Sequence, residues 1–545
     1  MSNQAHWWQS SPIYQIYPRS FMDGNGDGIG DLRGIISKLD YVKDLGFEAI
    51  WFSPFFSSPQ QDFGYDVSDY YDIAAEYGSL DDAQDLIDEV HARGMRVIFD
   101  LVLNHTSDQH PWFQASRSSR DSPRRDWYIW CDGRGRRPPT NWKAIPGGSG
   151  WNYEKRTDQW YYANFLPFQP DLNYRNPAVK EAMFDVVRHW LDKGVDGFRL
   201  DIFHSIYKDG QFRDNPFSFT FAPSDFTAGF FQRWLYNLNQ PETVQLAKEL
   251  RAVVEGRVPE RCLIGEVFAD DATLRAYLGD RLDGLNLIFL WDLLAAKPDG
   301  LELENVIRRY ETRYPAPYTP VYVFGNHDQR RVLSKIGNDI PRAKLLALLQ
   351  FTVRGVPVTY YGDEIGMLDG DFLAREAKDP IGQRFRRVPQ FILNLLGAYV
   401  NRDGCRTPMQ WNDGENAGFC PPDVEPWLPV HENRHWANVE TQLRQEDSLL
   451  NVYRALLRLR RESEALQRGS VQLIDTSQTG THTLGYRRTQ EDEALSILIN
   501  FSETPQRFKD EMDQKQLRFA VGSVDLKGDT LELAPCSGAI VGDRG

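Results

Sequence analysis

Eight short runs of β-branched, aromatic and other large apolar residues, at 13–17, 49–53, 96–102, 197–202, 262–267, 285–290, 321–326 and 356–361, constrain this chain more than any other feature. Runs this short and this apolar are the pattern of strands buried on both faces, as in a parallel sheet covered by helices. Helical periodicity fills the spaces between them. It is clearest at 79–93, where Ala83, Leu86, Ile87 and Val90 form an i, i+3, i+4, i+7 stripe and Ser79 with Asp82 supplies an N-terminal cap. Further amphipathic stretches occur at 31–45, 177–193, 342–353 and 448–461. Strands alternating with helices eight times predict an α/β fold, a (β/α)8 TIM barrel.

The alternation is interrupted once and then ends. Between the third run and the stretch at 177 lies a long segment rich in Trp, Gly, Pro and Arg, which reads as an inserted subdomain after the third strand. The expected division is a first barrel part at 1–103, an insert (subdomain B) at 104–173, a second barrel part at 174–467 and a C-terminal domain at 468–545. In that last part short alternating segments at 470–475, 483–487, 494–501 and 530–533 predict a β-sandwich. A chain of 545 residues is long enough to need more than one core.

Charge narrows the class of ligand. The chain carries 62 basic against 77 acidic residues, a formal charge of -15, which disfavours nucleic acid and acidic membrane surfaces and suits a small neutral partner. The five cysteines, Cys131, Cys262, Cys405, Cys420 and Cys536, are scattered and odd in number, so neither a disulfide framework nor a CxxC metal site is suggested. With no apolar stretch of about 18 residues and no apolar start at 1–10, a cytoplasmic protein is expected, monomeric or homodimeric, without a membrane contact or an organic cofactor.

In a barrel of this kind the catalytic groups gather where strands end, so acids at those positions matter most. Asp201 closes Gly197-Phe-Arg-Leu-Asp201, Glu266 closes Leu263-Ile-Gly-Glu266, and Asp328 follows Phe324-Gly-Asn-His327. On a strand, residues two apart share a face, so Arg199 points with Asp201 and favours its ionised form. Glycoside hydrolysis needs that division: one carboxylate attacks the anomeric carbon while a second, protonated group gives its proton to the departing oxygen. A retaining enzyme would hold the two carboxyl groups about 5–5.5 Å apart.

These segments resemble the motif set of glycoside hydrolase family thirteen, the α-amylase superfamily. Four match in order: Asp100-Leu-Val-Leu-Asn-His105, Gly197-Phe-Arg-Leu-Asp201, Gly265-Glu-Val267 and Phe324-Gly-Asn-His-Asp328. The resemblance implies Asp201 as nucleophile, Glu266 as acid/base and Asp328 as the carboxylate that binds sugar hydroxyls, with His105, Arg199 and His327 lining the same pocket. Gln169-Pro-Asp-Leu-Asn173 is similar to the signature of the oligo-1,6-glucosidase and α-glucosidase group, and Asp62 and Tyr65 match the pair that closes the pocket behind a terminal glucose. Phe165 and Arg402 match further pocket positions. Two departures bear on specificity: Ile145 stands where the group tends to place Phe, and Ile202, after the nucleophile, is neither Val nor Thr nor Ala, which leaves linkage preference open.

Near the N-terminus Asp23-Gly-Asn-Gly-Asp-Gly-Ile-Gly-Asp31 places oxygen-bearing side chains at alternate positions, as a hard cation requires, although Gly34 stands where an EF-hand has its bidentate Glu. The spacing allows a Ca2+ site or a Gly-rich solvated turn. The resemblance implies a structural Ca2+ (Mg2+ as the alternative) held by Asp23, Asn25, Asp27, Asp31 and the Ile29 carbonyl.

The expected function is exo-acting, retaining hydrolysis of non-reducing-end α-glucosyl residues of small α-glucosides. An α-glucosyl transferase or maltose-trehalose glucosylmutase is the alternative, because such enzymes resemble the chain in the same motifs. Non-catalytic sugar-binding or transporter-associated barrels give no reason for three acids and Arg199 to converge.

Overall fold

The computed structural model describes residues 6–221, 227–395, 399–476, 480, 482–509, 515–528 and 530–543. Eight parallel strands form a closed barrel: β1 (Ile13–Ile16), β2 (Ala49–Phe52), β3 (Arg96–Leu101), β4 (Gly197–Leu200), β5 (Cys262–Gly265), β6 (Leu287–Leu290), β7 (Val321–Val323) and β8 (Val356–Tyr360). Each lies beside its neighbours in sequence, and β1 pairs with β8. All eight runs read from the sequence are strands, each a little shorter than its run. Among the described residues no helix is long and apolar enough to cross a membrane.

Register sets the level of the strand ends. Leu101 of β3 pairs with Leu200 of β4, and Leu200 with Gly265 of β5, so the next residues on β4 and β5, Asp201 and Glu266, leave the barrel side by side. The close approach needs Gly197, where an added Cβ would lie 2.5 Å from the Cys262 carbonyl oxygen.

Helices appear where the periodicity puts them: Leu80–Ala92, Pro177–Asp192, Ile340–Thr352 and Leu449–Glu462. Ser79 and Asp82 do cap the first of these, each accepting from the other's backbone amide. The stretch at 31–45 differs from the expected single helix. It is two, Leu32–Ser37 and Leu39–Leu45, separated at Lys38 (φ -115°, ψ 5°). Gly34 weakens the first helix, and the Ser37 hydroxyl bonds back to the Gly34 carbonyl at 2.7 Å, offering its backbone an alternative to continuation.

The chain divides into two compact units, residues 51–88 and 96–289 in one and 1–50, 89–95 and 290–545 in the other. The first holds the segment after β3, where Trp130–Cys131, Gln159–Tyr162 and Trp151–Glu154 form an antiparallel sheet around Ile129, Trp142, Trp151 and Tyr162. It also holds an excursion after β4 with the two-stranded pair Ala228–Gly229 and Gln232–Arg233. The second unit ends in a five-stranded and a three-stranded antiparallel sheet, with Leu498, Phe508, Leu531, Leu533, Ala539 and Val541 as their core. Four of those strands, Gln506–Phe508, Lys515–Val521, Val524–Lys527 and Ser537–Asp543, go beyond the segments expected from sequence.

Candidate active site

Arg199 is the hub of the group in the first unit. It is wholly buried, and its Nη1 donates to both Asp100 oxygens at 2.8 and 2.9 Å and to Asp201 Oδ1 at 2.8 Å. Its Nη2 lies 2.8 Å from Glu266 Oε2 as an ion pair. One guanidinium therefore holds the acids that end β4 and β5, and Asp201 and Glu266 each keep 6% exposure, enough for a reacting atom to approach. Burial disfavours the charge of Arg199, yet Asp100 and Glu266 outweigh it and hold the side chain well above its ordinary pKa. Burial pushes Asp100 up to about 6 against the pull of Arg199.

Tyr65 and Asp62 complete this group from the loop after β2. The Tyr65 hydroxyl donates to Asp100 at 3.0 Å, and the His105 ring bonds the Tyr65 carbonyl at 3.1 Å through Nε2. Burial drives His105 down to about 3, so its ring is neutral. Asp62 accepts from the Gln169 amide at 3.0 Å, which joins two residues more than a hundred apart in sequence. Phe165 is half-buried four residues before Gln169 and makes none of these bonds.

The second unit carries the other expected residues. His327 and Asp328 follow β7, and Asp328 Oδ1 accepts from Arg402 Nη1 and Arg406 Nη2, both at 2.9 Å. His327 Nε2 lies 3.2 Å from Asp328 Oδ2, and its Nδ1 bonds the Gln15 amide at 2.7 Å. Arg402 is fixed from behind by Asp379 at 2.6 Å. Burial would raise Asp379, but Arg402 and Arg406 overcome it and keep the carboxyl below its usual range.

Four residues of these groups, Gln15 among them, are absent from the sequence expectation. Asp100 opens one of the four motifs and lies next to last on β3, so its position could have named it. Arg406 lies in Arg406-Thr-Pro-Met-Gln-Trp411 beside Arg402. Asp379 caps the helix Pro380–Arg384, and its Asp-Pro signal announces that cap and not Arg402, to which only the fold brings it.

In the N-terminal loop the carboxylates fold onto the loop's own backbone. Asp23 accepts from the amides of Asn25, Gly26 and Gly28, and Asp31 from those of Gly24, Asn25 and Gly34. Among the described residues no three or more His, Cys, Asp or Glu side chains converge in the manner of a metal site. The donor set itself is all oxygen, the chemistry a hard cation takes.

A closed barrel with paired acids at adjacent strand ends is an arrangement that glycoside hydrolysis can use, and the relatives of the chain make it a glycoside hydrolase. The chain belongs to the α-amylase family, whose pattern "Alpha amylase, catalytic domain" matches residues 15–469. It is 39% identical to a probable alpha-glucosidase of Rhizobium meliloti (strain 1021), over 91% of this chain and 90% of that relative. It is 35% identical to an oligo-1,6-glucosidase of Parageobacillus thermoglucosidasius, over 95% of each. Among solved structures, an alpha-glucosyl transfer enzyme superposes with a TM-score of 0.89 at 36% identity, covering 99% of this chain and 100% of that one.

Proposed function

We propose that the protein is a retaining, exo-acting α-glucosidase that releases glucose from the non-reducing ends of small α-glucosides. The observation that carries this reading is the single Arg199 guanidinium holding Asp201 and Glu266 together at neighbouring strand ends. Asp201 attacks the anomeric carbon, and the bond to the leaving oxygen breaks as Glu266 gives that oxygen its proton. Water then loses a proton to Glu266 and displaces Asp201 from the glucosyl ester, returning the acid to its starting state with configuration retained.

In this reading Asp328, His327 and Arg402 bind sugar hydroxyls, and Asp62, Tyr65, His105, Phe165 and Gln169 close the pocket around the terminal glucose. A cytoplasmic protein, monomeric or homodimeric, fits the sequence. A structural Ca2+ in the loop 23–31 belongs to the same proposal: each Asp oxygen that accepts one amide keeps a second lone pair for a cation.

A second reading, glucosyl transfer to another sugar, is favoured by the likeness to the alpha-glucosyl transfer enzyme. Incubation with maltose, isomaltose, sucrose and trehalose separates them. Free glucose as the main product supports hydrolysis; accumulating isomeric disaccharide supports transfer. Glu266→Gln is expected to lower kcat on maltose by about 10²–10⁴-fold, the usual worth of a positioned acid. Near-normal turnover by Asp201→Ala would sink the mechanism.

A further inference from the structure

Ile202, directly after Asp201, has φ 34° and ψ 43°, the left-handed region. A β-branched residue there is an outlier that persists only where its surroundings over-determine it. They do so here. The Ile202 amide donates to Glu266 Oε2 at 2.9 Å, the Phe203 amide to the Glu266 carbonyl at 3.0 Å, and the Glu266 amide to the Leu200 carbonyl at 3.0 Å. The Ile202 carbonyl in turn accepts from Ser205 at 2.9 Å, opening a short 3-10 turn. The end of β4 and the end of β5 are thus laced together by three backbone amides, one of them aimed at a carboxyl oxygen.

Oε2 also lies 2.8 Å from Arg199 Nη2 as an ion pair, so it faces one N–H donor and one cation. An oxygen that accepts from an N–H and lies against a cation is the unfavourable place for an acidic proton. We propose that the strained turn at Ile202 is a positioning device: its backbone amide reserves Oε2 as the acceptor oxygen of Glu266, so that the proton delivered to the leaving group sits on Oε1. The inference rests on Glu266 being the acid/base. It differs from any role of the Ile202 side chain in the pocket, because the acting group is main chain. The titratable groups around Glu266 include Arg199 on β4, Asp201 just after it, Asp100 on β3, and His204, which burial drives down to about 3 and so leaves uncharged.

The test replaces one N–H by an oxygen and leaves every side chain in place: an amide-to-ester replacement at Ile202 in the full-length protein, with folding checked by circular dichroism. The amide favours the ionised carboxyl, so its loss moves the basic limb of kcat/KM on maltose upward by about one pH unit. It also lowers kcat on maltose roughly tenfold while slowing p-nitrophenyl α-glucoside, whose leaving group needs little protonation, much less. Ile202→Gly keeps the N–H and accepts the left-handed backbone, so its basic limb stays where it was, whatever its kcat. If the ester protein does not fold, neutron diffraction of the unaltered protein below the Glu266 pKa decides the matter: a deuteron on Oε1 supports the assignment, and one on Oε2 overturns it. An unmoved basic limb together with an unchanged maltose-to-aryl ratio overturns it as well. A Glu266→Gln protein that hydrolyses maltose normally sinks the acid/base reading instead, which keeps the two failures apart.

Discussion

Arg199 answers to Asp100, Asp201 and Glu266 at once, in a setting where all four groups are buried and only Asp201 and Glu266 keep a small opening. Removing it leaves buried carboxylates without their cation. Such losses cost about 3–5 kcal/mol, so Arg199→Ala is expected to lower the melting temperature markedly as well as to abolish turnover. Arg199→Lys keeps the charge but offers a point where a planar fork was needed, and should recover most of the stability and little of kcat. Thermal melts and maltose kinetics on the two variants check both parts. His110 gives a residue-level test on pH. Its Nδ1 accepts from the Trp112 amide at 3.1 Å as the cap of helix Pro111–Ser118, and burial pushes its pKa down to about 3. A depressed folded pKa means that its contribution is complete above the unfolded value of about 6.5 and fades as pH falls from there toward 3. His110→Asn retains a capping oxygen without the titration, so the difference in melting temperature between the two proteins should shift in favour of the variant between pH 7 and pH 4.5.

At the scale of elements, the spacing of β4 and β5 decides whether Asp201 and Glu266 can act on one carbon. Gly197→Ala would set a Cβ against the Cys262 carbonyl, and backbone cannot yield as a side-chain tip can. Overpacking of this kind costs about 1–3 kcal/mol, and spreading the strands should reduce kcat more than it raises KM. Steady-state kinetics beside a thermal melt check this. The barrel strands were legible because burial on both faces writes a continuous apolar run, and the helices because one face repeats. The acids at the ends of β4 and β5 followed from those strands. The break at Lys38 was hidden by an unbroken apolar stripe, and only the Gly34 and Ser37 backbone chemistry explains it. In the C-terminal sheets Lys515–Val521 escaped notice because a bulge between Leu517 and Phe519 shifts the alternation by one residue. Asp379 has no sequence signal for this role: its partner Arg402 is set by the excursion after β8, and a helix-capping aspartate looks the same whether or not it also braces an arginine.

At the scale of the whole molecule the loop 23–31 matters through what it ties down. Asp23 donates its amide to the Phe419 carbonyl at 3.1 Å, the Gly28 carbonyl accepts from Trp427 at 2.9 Å, and Asp31 caps helix Leu32–Ser37. A cation that binds this loop folded and not unfolded stabilises the whole protein by RT ln(1 + [L]/Kd), about 2.7 kcal/mol at a hundredfold excess over Kd. EDTA is therefore expected to lower the melting temperature, and Ca2+ to restore it in a concentration-dependent way. The informative variant is Asp27→Ala rather than Asp31→Ala. Asp31 accepts from the Gly34 amide at 2.7 Å, so its loss costs about 1 kcal/mol of capping whether or not an ion is present. Asp27 is exposed, and among the described residues its bonds, to Ile29 and Asn25, lie inside the loop. Asp27→Ala should therefore erase the response to Ca2+ while leaving the EDTA-treated melting temperature near that of the parent protein. Equal melting temperatures with EDTA and with millimolar Ca2+ in the parent protein would show that the loop stands on its amide bonds alone.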